Sequence, residues 1–280
     1  MGEPMCRNLV AKSGATVIAF DLDRAPLGRL AAHGVAAAGS VREAVQGVQV
    51  VFLSLPSGAV VERVVDASDG VLAGASAGQI VVDLGTSPVD TTRALADRFA
   101  RLDIAWVDAP VARTRAAAEA GTLSITAGAD PAVFDRVRPL LATFASDITL
   151  CGPVGCGQVV KIMNNMVLFQ TVAALAEAKA IACRAGVDAT LLFEALSKGS
   201  ADSFALRNHG MKAMLPDEFP LRAFSVDYAR KDLSYALKLA QDGNIAAEGA
   251  RRVDDLFAHA QARGDAGRYW PVIARLLDER

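Results

Sequence analysis

GPVGCGQVVKIMNN, residues 152–165, is where the 280-residue chain changes character. Before it, short β-branched runs alternate with longer stretches rich in Ala, Leu and charge. TVIAF (16–20), VVFLSL (50–55), IVVDL (80–84), IAWVDA (104–109), LSITAG (123–128) and ITLC (148–151) have the composition of strands. Residues 24–34, 58–67, 88–101 and 131–145 have that of helices. This αβαβ rhythm predicts a mainly parallel sheet covered by helices, because parallel strands need crossover connections. After the stretch the strand signal stops. Residues 155–184, 188–198, 202–214, 225–242 and 246–263 read as helices, broken at Gly186, Gly199, Pro216, Pro220 and Gly243. The expected architecture is an α/β domain over residues 1–153 and an all-α domain over 154–280 that opens with one long helix.

Composition narrows the class. Lys and Arg number 29 against 31 Asp and Glu, and 52% hydrophobic residues suit two packed cores rather than a disordered chain. The balanced charge offers no concentrated basic footprint for nucleic acid. Cys6, Cys151, Cys156 and Cys183 form no CxxC pair, and His33, His209 and His259 lie far apart. Neither a metal site nor a disulfide framework is expected, and the thiols read as buried and reduced in a cytoplasmic protein. The opening MGEPMCRNLV lacks the basic region and apolar core of a secretion signal. The apolar stretch 159–182 is interrupted by Lys161, Asn164, Asn165 and Gln170, which argues for a buried helix and against a membrane span.

A parallel sheet binds ligands beyond the carboxyl ends of its strands. Asp21 ends the first strand, where a dinucleotide-binding fold places the acid that accepts hydrogen bonds from the adenosine ribose. A carboxylate there also repels a 2′-phosphate and so favours NAD over NADP. An ordinary loop aspartate would look the same, and Asp23 competes for the role. The glycine fingerprint that should precede this acid is reduced to Gly2. GPVGCG (152–157) has the spacing GxxGxG rather than GxGxxG, so it reads as a tight turn at a helix N-terminus whose amides could attract an anion.

On the long helix, Gln158, Lys161 and Asn165 share a face. Lys161 is one of seven lysines in the chain and lies among Val159, Val160, Ile162 and Met163. Desolvation disfavours the charged ammonium and moves its pKa toward the range useful for proton transfer, which makes Lys161 the candidate general acid/base. A lysine snorkelling to the surface near a helix start is the alternative.

Four segments carry a resemblance. MGEPMCRNL (1–9), DAPVARTRAAAEAGTL (108–123), GPVGCGQVVKIMNN (152–165) and FSVDYARKDLSYAL (224–237) resemble, in this order, GLGxMGxPMAxNL, DAPVSGGxxxAxxGTL, GxxGxGxxxKxxxN and FxxxLxxKDLxLAL. These are motifs of the β-hydroxyacid dehydrogenase family, of which 3-hydroxyisobutyrate dehydrogenase is the best-known type. The resemblance implies an α/β, doubly wound (Rossmann-type) domain followed by an all-α domain that builds homodimers or homotetramers. It implies an oxidoreductase moving a hydride between NAD, or NADP, and a small 3-hydroxy acid or the corresponding anionic aldehyde. Lys161 would protonate the carbonyl oxygen in reduction and deprotonate the hydroxyl in oxidation, and Asn165 would hold the substrate. Lys231 and Phe224 would border nicotinamide and substrate, although a surface lysine paired with a neighbouring acid would also account for Lys231. Leu55 and Pro56 in LPSG (55–58) and Thr86 in DLGTSP (83–88) resemble loops that line the cofactor, with Gly2 and Asp21 completing that set.

Two departures from the family pattern stand out. In the substrate motif, Ser-Gly-Gly is replaced by Ala112-Arg113-Thr114. A guanidinium can bind an oxyanion at two points, and a similar Arg-Thr variant marks the family's sulfolactaldehyde reductase branch. The expectation is an anion clamp at Arg113 for a small aldehyde or hydroxy acid such as sulfolactaldehyde or succinic semialdehyde. Arg113 pointing to solvent or pairing with an acid such as Glu119 is the alternative. Members that lose the lysine survive as structural modules, and others replace it for imine reduction; Lys161 argues against both. The second departure is that Met1-Gly2 aligns with the last Met-Gly of GLGxMG. The preceding central strand and the first two glycines are therefore missing, through a start placed late or a truncation, and unpaired sheet edges with weak cofactor binding are expected.

Overall fold

The computed structural model describes residues 1–221 and 223–278. The chain separates into two compact units, Met1–Lys161 and Ile162–Arg280.

The first unit contains α1 (Gly2–Ser13), β1 (Ile18–Ala19), α2 (Arg24–Ala31), β2 (Ala36–Ala37), α3 (Val41–Val45), β3 (Val50–Leu53), α4 (Gly58–Asp66), α5 (Val71–Gly74) and β4 (Ile80–Asp83). It continues with α6 (Val89–Ala100), β5 (Ala105–Asp108), β6 (Val111–Ala112), α7 (Arg115–Ala120), β7 (Leu123–Gly128), α8 (Pro131–Leu141), β8 (Ala145–Gly152) and the start of α9 (Cys156–Arg184). The main sheet runs β3-β4-β5-β7-β6, with β8 beside β7. Strands β3, β4 and β5 are parallel, as are β7 and β8, while β7 runs antiparallel to β5 and β6.

Side-chain alternation explains why both faces are covered. Ile80, Val82 and Val107 face a core closed by Met5, Phe134, Val137 and Leu141, from α1 and α8. Val81, Trp106, Val51 and Leu53 face the opposite core with Val61, Val65, Leu95 and Phe99, from α4 and α6. A strand buried on both sides needs apolar residues at every position, and IVV (80–82) supplies them. This is the doubly wound α/β arrangement expected, with additions the strand signal did not reveal: the short β6, α7 and the antiparallel pairings.

The sheet is divided. β1 pairs only with β2, in a separate two-stranded sheet, and β3 forms the edge of the main one. Among the described residues no strand lies between them. Of the five residues in TVIAF, β1 comprises two. Helix α8 stops at Leu141 rather than 145, because Ala145 already pairs with Leu123 at the start of β8.

The second unit holds the remainder of α9, α10 (Ala189–Leu196), a π-helix (Leu206–Met214), α11 (Val226–Asp242), α12 (Glu248–Ala262), a short 3₁₀ segment (Trp270–Ala274) and α13 (Arg275–Asp278). Phe169 of α9 centres its core, 4.8 Å from the Trp270 ring, 5.5 Å from Phe257 and 6.0 Å from Phe224 between centroids. The π-helix replaces the α-helix expected over 202–214. It buries His209, whose Nδ1 lies 2.5 Å from the Tyr269 hydroxyl. Burial pushes His209 down to about 4 and Tyr269 up to about 12, so at neutral pH this is an uncharged structural pair.

Helix α9 is long and apolar enough to cross a membrane by length and composition. Its amides are spent on protein partners, however: Gln158 on the loop after β4, and Asn165 on Asp232. The four cysteines are free thiols; Cys6, Cys151 and Cys156 are half-buried, whereas Cys183 is exposed near the end of α9, contrary to the expectation of burial.

Candidate active site

The start of α9 explains the glycines of GPVGCG. Gly-Pro-Val-Gly puts no Ser, Thr, Asp or Asn ahead of Cys156, so no local side chain caps the helix. The acceptor comes from β5 instead. Asp108, fully buried, accepts hydrogen bonds from the Gly155 amide at 2.7 Å and the Gln158 amide at 2.8 Å. A Cβ at Gly157 would lie 2.8 Å from the Asp108 carboxylate and 2.5 Å from the Thr126 carbonyl, and one at Gly128 would lie 2.5 Å from Asp108. These glycines let backbone approach an internal acid. The amides that could have attracted an anion are thus met by the protein's own carboxylate. Burial outweighs those hydrogen bonds and pushes the Asp108 carboxyl up to about 6.

Gln158 reaches the other way, toward the loop after β4. Its Nε2 donates to the Gly85 carbonyl at 2.9 Å, and its Oε1 accepts from the Ser87 amide at 3.1 Å. Asp83, at the end of β4, accepts from the Gly85 amide at 2.9 Å and the Ser87 hydroxyl at 2.7 Å. Thr86 is therefore held between two anchored neighbours. Lys161, partly buried, stands three residues beyond Gln158 on the same face.

The ends of β1, β3 and β4 bring together most of the expected cofactor residues. A Cβ at Gly85 would lie 2.8 Å from the Leu55 carbonyl, and one at Gly58 2.5 Å from Pro88, so the loop carrying Leu55 and Pro56 lies against the loop carrying Thr86. Gly2 sits over the end of β3, where a Cβ would lie 3.3 Å from the Ser54 hydroxyl. No side chain caps α1. Asp21 is exposed beyond β1, and one of its oxygens accepts from the Asp23 amide. Asp23 is itself the N-cap of α2, accepting from the Ala25 amide. This cradle of close backbone, an uncapped helix start and one exposed acid fits a dinucleotide.

In the second unit, Asn165 donates to the buried Asp232 at 2.7 Å, and Lys231 lies 2.9 Å from the other oxygen of the same carboxylate. The Lys231 ammonium also lies 5.5 Å from the Tyr228 ring centre and 5.2 Å from that of Tyr235. Lys231 thus has the neighbouring-acid partner that the bland reading required, yet the same acid orients Asn165. Sequence reading missed Asp232, although it stands inside the KDL motif. Phe224 packs on Phe169 at the N-terminal side of α11.

The substrate loop differs from expectation. Arg113 donates to the Thr122 carbonyl at 2.7 Å and to the Ser146 hydroxyl at 3.0 Å, and it pairs with Asp147 at 2.8 Å. Its fork is engaged by the protein's own groups, with Asp147 in place of the suggested Glu119. The Thr114 hydroxyl is also spent, as the N-cap of α7. Ala112 lies in β6, paired with Ser124. The Arg113 backbone keeps a glycine-like φ of 82°, a strained value for a side-chain-bearing residue where the family motif has glycine.

The fold and these loops define a nicotinamide-nucleotide-dependent dehydrogenase. Residues 1–152 match the family described as the NAD binding domain of 6-phosphogluconate dehydrogenase, and residues 155–277 match the NAD-binding family of NADP-dependent 3-hydroxyisobutyrate dehydrogenase. The chain is 34% identical to 2-(hydroxymethyl)glutarate dehydrogenase of Eubacterium barkeri, over 94% of this chain and 87% of that protein. It is 34% identical to 3-hydroxyisobutyrate dehydrogenase of Pseudomonas aeruginosa, over 94% and 90%. The solved 3-hydroxyisobutyrate dehydrogenase of Mycobacterium tuberculosis with L-serine superposes with a TM-score of 0.89 at 31% identity, over 99% of this chain and 95% of that one. The chain belongs to the β-hydroxyacid dehydrogenase family and is an NAD(P)-dependent oxidoreductase acting on hydroxyl groups.

Proposed function

We propose that Lys161 is the general acid/base of hydride transfer between NAD(H) and a small 3-hydroxy acid or the corresponding anionic aldehyde. The observation that carries this reading is the seating of Lys161 one turn beyond Gln158, whose amide is bonded on both sides of Thr86 in the cofactor-lining loop. Bound nicotinamide supplies or accepts the hydride. Lys161 gives a proton to the carbonyl oxygen in reduction and takes it from the hydroxyl in oxidation. Asn165, its amide fixed by Asp232, holds the substrate oxygen by hydrogen bonding, while Lys231 and Phe224 border the substrate and nicotinamide. Gly2, Leu55, Pro56 and Thr86 line the cofactor. Asp21 accepts from the ribose hydroxyls and favours NAD over NADP.

With the Arg113 guanidinium and the Thr114 hydroxyl bonded to the protein's own groups, the backbone of residues 111–114 receives the substrate's anion. This favours a carboxylate-bearing substrate over one selected by a free guanidinium fork. The enzyme acts in the cytoplasm as a homodimer or homotetramer.

Lys161→Ala, assayed with 3-hydroxyisobutyrate, succinic semialdehyde, 3-sulfolactaldehyde and glyoxylate and with both cofactors, tests the assignment. Activity falls by about 10²–10⁴-fold, the usual worth of a positioned proton donor, while NADH fluorescence still reports binding. Unchanged activity removes Lys161 from the role.

A further inference from the structure

The buried bonds at the start of α9 are more than that helix needs to fold. Its continuation through the second unit is secured by Phe169 and other core side chains, yet its first turn is tied in two directions by two side chains outside the reactive set. Asp108 binds amides at the helix end and so sets its position along its axis against β5. Gln158 projects sideways and binds the loop after β4 with both ends of its amide, which sets the rotation of the helix about that axis. Axial position and rotation are what determine where a side chain three residues further on is carried.

We propose that Asp108 and Gln158 are positioning residues, which together fix the place of Lys161 relative to the cofactor-lining segment Gly85–Ser87. Three observations support this. Both side chains are fully buried. The glycines at 128 and 157 are required by close approach to Asp108, so backbone on two elements is shaped around it. Gln158 bonds the residues on both sides of Thr86, which anchors the loop at two points. A helix rises about 1.5 Å per residue, so slippage by a fraction of one residue displaces an ammonium by as much as proton transfer tolerates.

The inference rests on the acid/base reading of Lys161, and the experiment separates the two. Gln158→Met keeps length and apolar volume while removing both bonds to the loop. Gln158→Glu keeps the acceptor for Ser87 and loses the donor to Gly85. Asp108→Asn keeps the shape and one acceptor. Each full-length variant is assayed beside Lys161→Ala for kcat, KM, the pH profile of kcat, NADH binding and Tm.

Gln158→Met lowers kcat by about 10–100-fold, the usual effect of misplacing a reacting group by about 1 Å, with a smaller change in substrate KM. The limb of the pH profile that disappears in Lys161→Ala moves in Gln158→Met and Asp108→Asn, and Gln158→Glu falls between Gln158→Met and the native enzyme. Wild-type kcat and an unmoved limb in both Gln158→Met and Asp108→Asn, beside an inactive Lys161→Ala, overturn the inference. Activity lost only in proportion to the unfolded fraction overturns it as well. Full activity in Lys161→Ala instead overturns the acid/base reading.

Discussion

The start of α9 and the loop 110–114 both come from motifs expected to meet the substrate, and they are built in opposite ways. At the start of α9 the anchors are buried, each carboxylate or amide end has a backbone partner, and glycine stands wherever a Cβ would collide. In the 110–114 loop an exposed arginine occupies a left-handed backbone position and is held by a surface ion pair, with side chains 39% and 58% exposed for Arg113 and Asp147. Buried, fully satisfied polar groups specify one geometry, whereas an exposed pair is worth about 0–1 kcal/mol and yields easily. Proton transfer needs the first kind of support. Selection among related acids can be revised on the second.

The largest effect expected from breaking this contrast is at Asp108. Asp108→Ala leaves the Gly155 and Gln158 amides buried without an acceptor, which costs about 2–4 kcal/mol when the released burden of a buried charge is set against it. Urea unfolding measures the change. Asp147→Ala, its counterpart on the exposed loop, leaves the unfolding midpoint close to the native one, because an exposed pair adds little to stability. Equal losses at the two sites would erase the distinction.

How far each region was legible in the sequence follows the same line. The alternating strands and helices declared themselves through local periodicity, and so did the shared face of Gln158, Lys161 and Asn165. Asp108 was visible only as the first letter of DAP. Its role depends on the topology that brings β5 to the start of a helix 47 residues away, and no local pattern encodes that pairing. A clue was present: GPVG supplies no capping side chain, so an uncapped buried helix start had to find an acceptor elsewhere. The acid that pairs with Arg113 could not be read from the sequence, because Asp147 lies on another strand and only the fold places it beside the guanidinium. The π-helix over Leu206–Met214 has the hydrophobic spacing of an α-helix, and spacing alone does not distinguish them.

Changing pH should move the two regions in opposite directions. Burial raises the Asp108 carboxyl to about 6, above its value in the unfolded chain near about 4. Between those values the folded state holds the extra proton, so the stability that Asp108 contributes is fullest below about 4 and is lost as pH rises through about 6. The groups around it are backbone amides and the thiols of Cys151 and Cys156; the Cys151 thiol is itself raised, first by burial and then by Asp108. Asp147 behaves conversely. The Ser146 hydroxyl and then Arg113 hold its carboxyl below the ordinary value, so its contribution is present above the unfolded value and lost as pH falls. Subtracting from the native unfolding curve that of Asp108→Asn between about pH 4 and 7, and that of Asp147→Asn from about pH 4 downward, should give slopes of opposite sign, and slopes of one sign would contradict the burial contrast.

The smallest expected effect lies at Arg113 and separates its backbone from its side chain. Arg113→Gly relieves a φ of 82°, a strain of about 1 kcal/mol, while losing only the exposed pair with Asp147. Arg113→Ala loses the pair and keeps the strain, so it should unfold about 1 kcal/mol more easily than Arg113→Gly. Neither should alter the ratio of KM for an anionic aldehyde to that for a neutral one of equal length, because the guanidinium is spent on Thr122, Ser146 and Asp147. A rise in that ratio confined to the anionic substrate would mean that substrate draws the fork away from Asp147. The weakness of an exposed pair makes such an exchange inexpensive, and the loop would then select its acid by competition with its own carboxylate.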